Sequence, residues 1–287
     1  MKPHPPATDA YDIARLVHVP RRHPGRWLAA VVIATAFAAV VLAFARGQIE
    51  WRVVGQFLTA DAIMAGLINT VIMAVAAMTL GITLGVVFAV MYLSPNPVLR
   101  GSAFFYIWFF RGTPLLLQLL LWFNMALIFP RIGIPGLVEW RTVDLITPFV
   151  ATLLGLGINQ GAYTAEVIRS GILSVDSGQT DAAKSIGMTR LESLRRIVLP
   201  QAMRVIIPPV GNEFVSMVKL TSMASVIQYD EILRAAQGIY YATARVIELL
   251  IVAAFWYLAV VSVLSVGQYF LERHYAKGRS DAGGQRA

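Results

Sequence analysis

The 287-residue sequence contains no cysteine, only four histidines, and charged residues make up just 14% of it. Without thiols there is no disulfide, no thiolate metal site and no cysteine nucleophile. Three of the four histidines lie within the first 26 residues, and no HExxH, GxSxG or GxGxxG motif stands in a suitable context. No metal site and no catalytic residues are therefore expected. Gly178-Gln-Thr-Asp-Ala-Ala-Lys184-Ser185 comes one residue short of a GxxxxGK[ST] phosphate loop. Ala183 stands where the second glycine must let the backbone close on phosphate, and no strand precedes it, so ATP, if used, belongs to a partner.

What the chain has instead is apolar length. Hydrophobic residues make up 57% of it and its mean hydropathy is +0.65, whereas soluble domains carry about a quarter charged residues. An all-α polytopic membrane protein follows. After a basic, Pro-rich tail at 1–26, an apolar run at 27–45 is long enough to span. It ends in Ala43-Phe-Ala45, which resembles a signal-peptidase site, but its length favours an uncleaved anchor. Further spans are expected at about 63–93, 103–129, 146–170, 201–227 and 246–271, with external loops at 46–60, 130–142 and 229–245 and a tail at 274–287. Tyr240 and Tyr241 suit an interfacial helix in the last loop. Pro114 predicts a break in the third span and Pro208-Pro209 one in the fifth.

Lys and Arg set the orientation. Sixteen fall in segments that alternate to one side, six in the three loops on the other, and Arg111 and Lys219 lie inside spans. The basic side is cytosolic, which puts both termini and the 171–200 segment there. The net charge of +8 is then a topology signal, with no call for nucleic acid.

That polar 171–200 segment reads as a helical hairpin. Asp176 or Ser177 can cap a helix over 179–186, Gly187 supplies the positive φ that stops it, and Thr189 with Glu192 forms a capping box. Leu191, Leu194 and Val198 predict an apolar stripe ending at Pro200. Spacing alone favours an ordinary cytosolic hairpin and leaves a docking site open as the alternative.

The motifs narrow this. G-A-Y-x-A-E-x-x-R-x-G-I from Gly161, G-Q-x-D-A-A-x-x-x-G from Gly178, L-P-Q-A-x-R-x-x-x-P-P from Leu199, K-x-T-S from Lys219 and R-G-T-P-L-L-L-Q from Arg111 together resemble the permease subunits of ABC importers of the polar-amino-acid uptake group, over about residues 61–273. The resemblance implies a five-helix type I importer permease core, to which the 27–45 helix is an addition. It implies that the hairpin, through Gly178, Gln179, Asp181, Ala182, Ala183 and Gly187, couples to an ATP-binding cassette subunit that holds ATP and Mg, so that this chain binds no cofactor and is no enzyme. A second permease subunit, the same or homologous, and an external solute-binding protein are implied too, in a bacterial inner membrane and surrounded by its lipid. Asp181 replaces the family's usual Glu, and Leu220 its usual Asp.

Polar side chains inside the spans are candidates for the path of a polar amino acid or related solute: Arg111, Thr113, Gln118, Asn159, Tyr163, Glu166, Asn212, Glu213, Ser216, Lys219 and Thr221. Asn159, Tyr163, Glu166 and Ser170 recur on one helix face. Arg111 either snorkels or serves the path, and a buried Glu166–Lys219 pair fastening two helices is the sober alternative to a solute role. At the level of function the alternatives are an ion-coupled secondary transporter and a receptor or scaffold that uses the hairpin for docking.

Overall fold

Small residues decide how closely the helices meet. The computed structural model describes residues 24–134 and 138–276, and the expectations placed on 1–23 and 277–287 lie outside the described residues. The chain divides into a unit at Met1–Ile49 and a unit at Glu50–Ala287. The first contains helix α1 (Pro24–Arg46), the expected anchor.

The second opens with α2 (Trp51–Phe57) inside the loop expected at 46–60 and continues into α3 (Asp61–Tyr92). Gly66, Ala74, Ala77, Gly81, Gly85 and Ala89 are buried along α3. Opposite them runs α8 (Pro148–Leu173), which buries Gly155, Gly157, Gly161, Ala165 and Gly171 and is capped by the Thr147 hydroxyl accepting from the Val150 N–H at 3.3 Å. A methyl built on Gly85 would stand 2.8 Å from Thr164, and one on Gly157 2.6 Å from Leu80. Backbones this close gain dispersion contact that lipid cannot match, which is why membrane helices use small residues at their seams.

The third expected span is broken, as Pro114 foretells. Helix α4 (Pro97–Gly112) turns by 101° into α5 (Leu115–Phe123), followed by α6 (Met125–Ile128). The loop expected at 130–142 contains an antiparallel hairpin, β1 (Arg131–Ile134) with β2 (Val138–Arg141), pairing Arg131 with Arg141, and leads to α7 (Thr142–Leu145).

After α8 come α9 (Ser177–Ser185) and α10 (Arg190–Ser193), and three expectations are corrected there. Pro200 ends nothing: a π-helical turn at Leu194–Val198 carries the chain into α11 (Leu199–Leu220), and Pro200 lies in the first turn of that helix. Pro208-Pro209 stays inside that continuous helix, and the Pro208 carbonyl accepts from Gln268 Nε2 at 2.9 Å. The stripe expected from Leu191 to Val198 is mostly outward, with Leu191 72% exposed and only Val198 buried.

A 3₁₀ segment, Thr221–Ile227, follows, then α12 (Ile232–Thr243) and α13 (Val246–Ala276). Helix α12 is more than an interfacial helix, because Ile232 and Ala236 are buried in a cluster with Ile63, Leu249 and Val252. Its N-cap Glu231 is fully buried, accepting from the Leu233 and Arg234 N–H groups at 2.9 and 2.7 Å and from the Tyr257 hydroxyl.

By length and hydropathy alone, α1, α3 and α13 qualify as spans among the described residues, and the bent α4–α5 pair as a fourth. Helices α8 and α11, expected as spans, do not qualify unaided because polar residues interrupt them; those residues build the site.

Candidate functional site

Glu213 on α11 is the centre of the arrangement. Its carboxylate accepts from Gln160 Nε2 at 2.8 Å and Thr164 Oγ1 at 2.9 Å, both on α8, and Gln160 Nε2 also reaches Thr164 Oγ1 at 3.1 Å. One helical turn separates the two donors, so a single face of α8 presents both. Gly81 and Gly85 on α3 back these same side chains, at 2.7 and 2.8 Å from a built methyl, and hold that face forward. Among the described residues no cation is ion-paired with Glu213.

The carboxylate opens on a cavity of about 550 Å³ whose wall includes Asn159, Gln160, Tyr163, Asn212, Glu213 and Ser216. Tyr163 also lines a second cavity of about 460 Å³, with Arg111, Trp108, Glu166, Arg169 and Tyr92. The Arg111 guanidinium stacks 5.2 Å from the Tyr163 ring centre, a cation–π contact at the join between the two spaces. Arg111 is near enough for its charge to act on both Glu166 and Glu213.

Five sequence candidates stand away from the Glu213 carboxylate. Glu166 pairs with Arg169, three residues along its own helix, at 2.5 and 3.0 Å, so the Glu166–Lys219 fastener does not form. Lys219 is exposed, lines neither cavity and has no ion pair among the described residues. Thr221 is fully buried, its hydroxyl donating to the Val218 carbonyl at 2.7 Å. Thr113 and Gln118 knit the break between α4 and α5: Gln118 Nε2 donates to Thr113 Oγ1 at 2.7 Å and to the Phe110 carbonyl at 3.0 Å. Asn159 Nδ2 donates to that same carbonyl at 2.8 Å, tying the break to α8 while its residue still faces the larger cavity. A helix turned by 101° frees carbonyls that lipid cannot satisfy, and side-chain amides take them up.

Asn212 and Ser216 join Glu213 at the cavity wall, and Asn212 Nδ2 also donates to Glu272 Oε1 at 2.9 Å. The sequence reading passed over Gln160 and Thr164. Their signal was available as an i, i+4 polar pair one residue beyond the Asn159–Tyr163 stripe, inside a glycine-rich helix.

The hairpin forms with its expected caps. Asp176 accepts from the Gly178 N–H at 2.7 Å, Gly187 adopts φ +84°, and the Thr189–Glu192 capping box closes. Ala183 is 1% exposed and supports the hairpin from within. Gly178, Gln179, Asp181, Ala182 and Gly187 are exposed, as is Ile186. The same face carries an Asp181–Lys184 pair at 2.9 Å.

Residues 81–277 match the family described as the binding-protein-dependent transport system inner membrane component. The chain belongs to this family. The permease is 40% identical over 262 residues to the arginine transport system permease protein ArgU of Corynebacterium glutamicum, covering 90% of this chain and 83% of that one. It is 36% identical to the L-cystine transport system permease protein TcyB of Bacillus subtilis, covering 78% and 91% of the two chains. Among solved structures, an amino acid ABC transporter crystallised with histidines superimposes with a TM-score of 0.66 at 37% identity, over 74% of this chain and 94% of that one. The inward-facing MetNI methionine ABC transporter gives a TM-score of 0.62 at 15% identity over 75% and 97% of the chains, a likeness of fold alone. The permease is therefore a multi-pass, all-α membrane protein of the importer type that its motifs indicate.

In the permease the two cavities meet at the one helix, α8, that leads directly into the hairpin. Gln160, Tyr163 and Glu166 all lie on this helix.

Proposed function

We propose that the permease forms half of the path by which a polar amino acid with a basic side chain enters the cell. A second permease subunit, the same or homologous, completes the path. ATP with Mg is hydrolysed on separate cassette subunits docked on the outer face of the hairpin, and an external solute-binding protein delivers the solute. The Lys and Arg distribution supports a topology in which both termini and the hairpin are cytosolic.

The observation that carries this reading is Glu213, a carboxylate fixed by two neutral donors at the wall of a large cavity, with Arg111 beyond Tyr163. Glu213 is half-buried and its two donors are neutral, so its charge is free to attract a cation, and a solute ammonium or guanidinium supplies one. The solute carboxylate then has Arg111, whose planar fork suits it. The arginine carried by the relative ArgU fits this division of charge.

Moving the hairpin shifts α8 against α11, and with it the pair of donors that hold Glu213. Alternating access then changes which side the cavity opens to, and the cassettes supply the differential free energy between the two states.

The test is uptake of labelled arginine, histidine and glutamine into proteoliposomes containing the complete transporter. Glu213→Gln should lower uptake of the basic solutes by about ten- to a hundredfold, the worth of a hydrogen-bonded charge, with assembly retained. Unchanged arginine uptake in that variant removes Glu213 from the path.

A further inference from the structure

A third cavity, of about 450 Å³, lies at the far end of α8. It sits where four chain ends converge: α3 finishes at Tyr92, α4 starts at Pro97, α8 finishes at Leu173 and α10 starts at Arg190. Arg100, Arg169 and Arg190 all line it, and no carboxylate does. Arg169 is balanced by Glu166. Among the described residues Arg100 and Arg190 have no ion pair. The guanidiniums of Arg100 and Arg169 stand 5.8 and 5.2 Å from the centre of the Tyr92 ring, which holds both at the rim. Leu93 and Leu173, both exposed, give the same cavity an apolar flank.

From this juxtaposition we infer that the cavity binds the phosphate-bearing head group of an anionic phospholipid. Two guanidiniums without counter-ions form charge-assisted, bidentate hydrogen bonds to phosphate oxygens. A basic recess between helices at the cytoplasmic border is the arrangement that selects anionic head groups. The apolar flank distinguishes a lipid from a free anion, because acyl chains cover Leu93 and Leu173 and a soluble phosphate does not. The site shares no residue with the Glu213 cavity and borders the second cavity through Tyr92 and Arg169. The inner leaflet is the one that the proposed topology assigns, but head-group selection in detergent does not depend on that assignment. A bound lipid here touches the start of α10, and so bears on the hairpin that receives the cassette.

Native mass spectrometry of the assembled transporter, with the full-length chain and its cassette subunits, reads the occupancy directly. Phosphatidylglycerol should bind in preference to phosphatidylcholine, and Arg100→Gln with Arg190→Gln should reduce that preference by about tenfold or more, as expected for two basic groups at an anionic surface. The paired Lys substitutions, which keep the charge, should retain most of it; they and the single Arg100→Gln variant carry the test if the double Gln variant fails to assemble. Equal binding of the two lipids, or an unaltered preference in the Gln variants, overturns the inference. So does displacement of the lipid by millimolar inorganic phosphate, which identifies a soluble anion. A preference present only without the cassette subunits overturns it too, since the arginines then serve the protein interface.

Discussion

Replacing Gly81 by alanine should disable the permease from a position that touches no solute. A methyl there would stand 2.7 Å from Gln160 Cγ and 2.8 Å from its Cβ, where ordinary contact begins at 3.4 Å. Relief requires a displacement of about 0.7 Å, and the backbone carbonyl of Gly157 at 3.4 Å limits escape to one side. Overpacking of this kind costs about 1–3 kcal/mol. A shift of the same size stretches the 2.8 Å bond from Gln160 to Glu213 beyond a useful length, and a hydrogen bond to a charged group contributes about 1.5–3 kcal/mol. The helix propensity of alanine returns up to about 1 kcal/mol. The net loss is about 2–4 kcal/mol, or about 5–10 °C in the unfolding midpoint. Gly101 is the control, since a methyl there meets nothing within 4 Å. Gly101→Ala should match or exceed the wild type. Purified complexes of both variants are compared by thermal unfolding and by solute uptake. Gly81→Ala behaving like Gly101→Ala in both assays would refute the claim that the α3–α8 seam positions the Glu213 donors.

Ala183→Asp should disorder the hairpin itself, seen as faster proteolysis of 177–193, because a carboxylate in its buried face has no partner. Ile186→Asp, on the exposed face, should leave the hairpin ordered and abolish co-purification of the cassette subunit; normal co-purification would move the docking surface elsewhere. Glu192 accepts from the Thr189 N–H at 2.9 Å and from its hydroxyl at 2.8 Å, and these bonds hold its carboxyl below the ordinary range. Its contribution is therefore complete above the ordinary glutamate pKa of about 4.3 and fades as pH falls through the lowered value, so hydrogen exchange in the turn at 189–193 should accelerate on acidification in the wild type, and no such acid step should appear in Glu192→Gln. Deleting residues 1–45 leaves the Glu50–Ala287 unit whole and should preserve uptake per inserted molecule; total loss from a stable, inserted truncation would make α1 part of the working core.

The helices were legible wherever one residue type dominates their physics. Uniform apolar runs exposed α1, α3 and α13, Pro114 exposed the break before α5, and the hairpin caps could be read because Asp176, Gly187, Thr189 and Glu192 act on neighbours within a few residues. Long-range partners were not legible. Lys219 and Glu166 looked complementary by charge and depth, yet Arg169 sits one turn from Glu166 and wins by proximity. Pro208-Pro209 suggested a break, but the helix runs on from Leu199 to Leu220, and Gln268 on α13, 60 residues away, donates to the Pro208 carbonyl. Ala183 shows the same limit within the hairpin: periodicity places it on a face, but only the chain that returns at Val198 makes that face the inner one. Gln160 and Thr164 form a polar pair that the sequence displays, but their partner Glu213 lies on α11, 53 and 49 residues away.

The central claim is that this chain moves a solute with energy supplied by ATP on another subunit. Its most direct measurement is arginine uptake into proteoliposomes holding the permease, the cassette subunits and the solute-binding protein, with and without enclosed ATP and with no ion gradient. Uptake that requires ATP and stops when the cassette subunits are omitted is the expected result. Uptake driven by a proton or sodium gradient through the permease alone would contradict it.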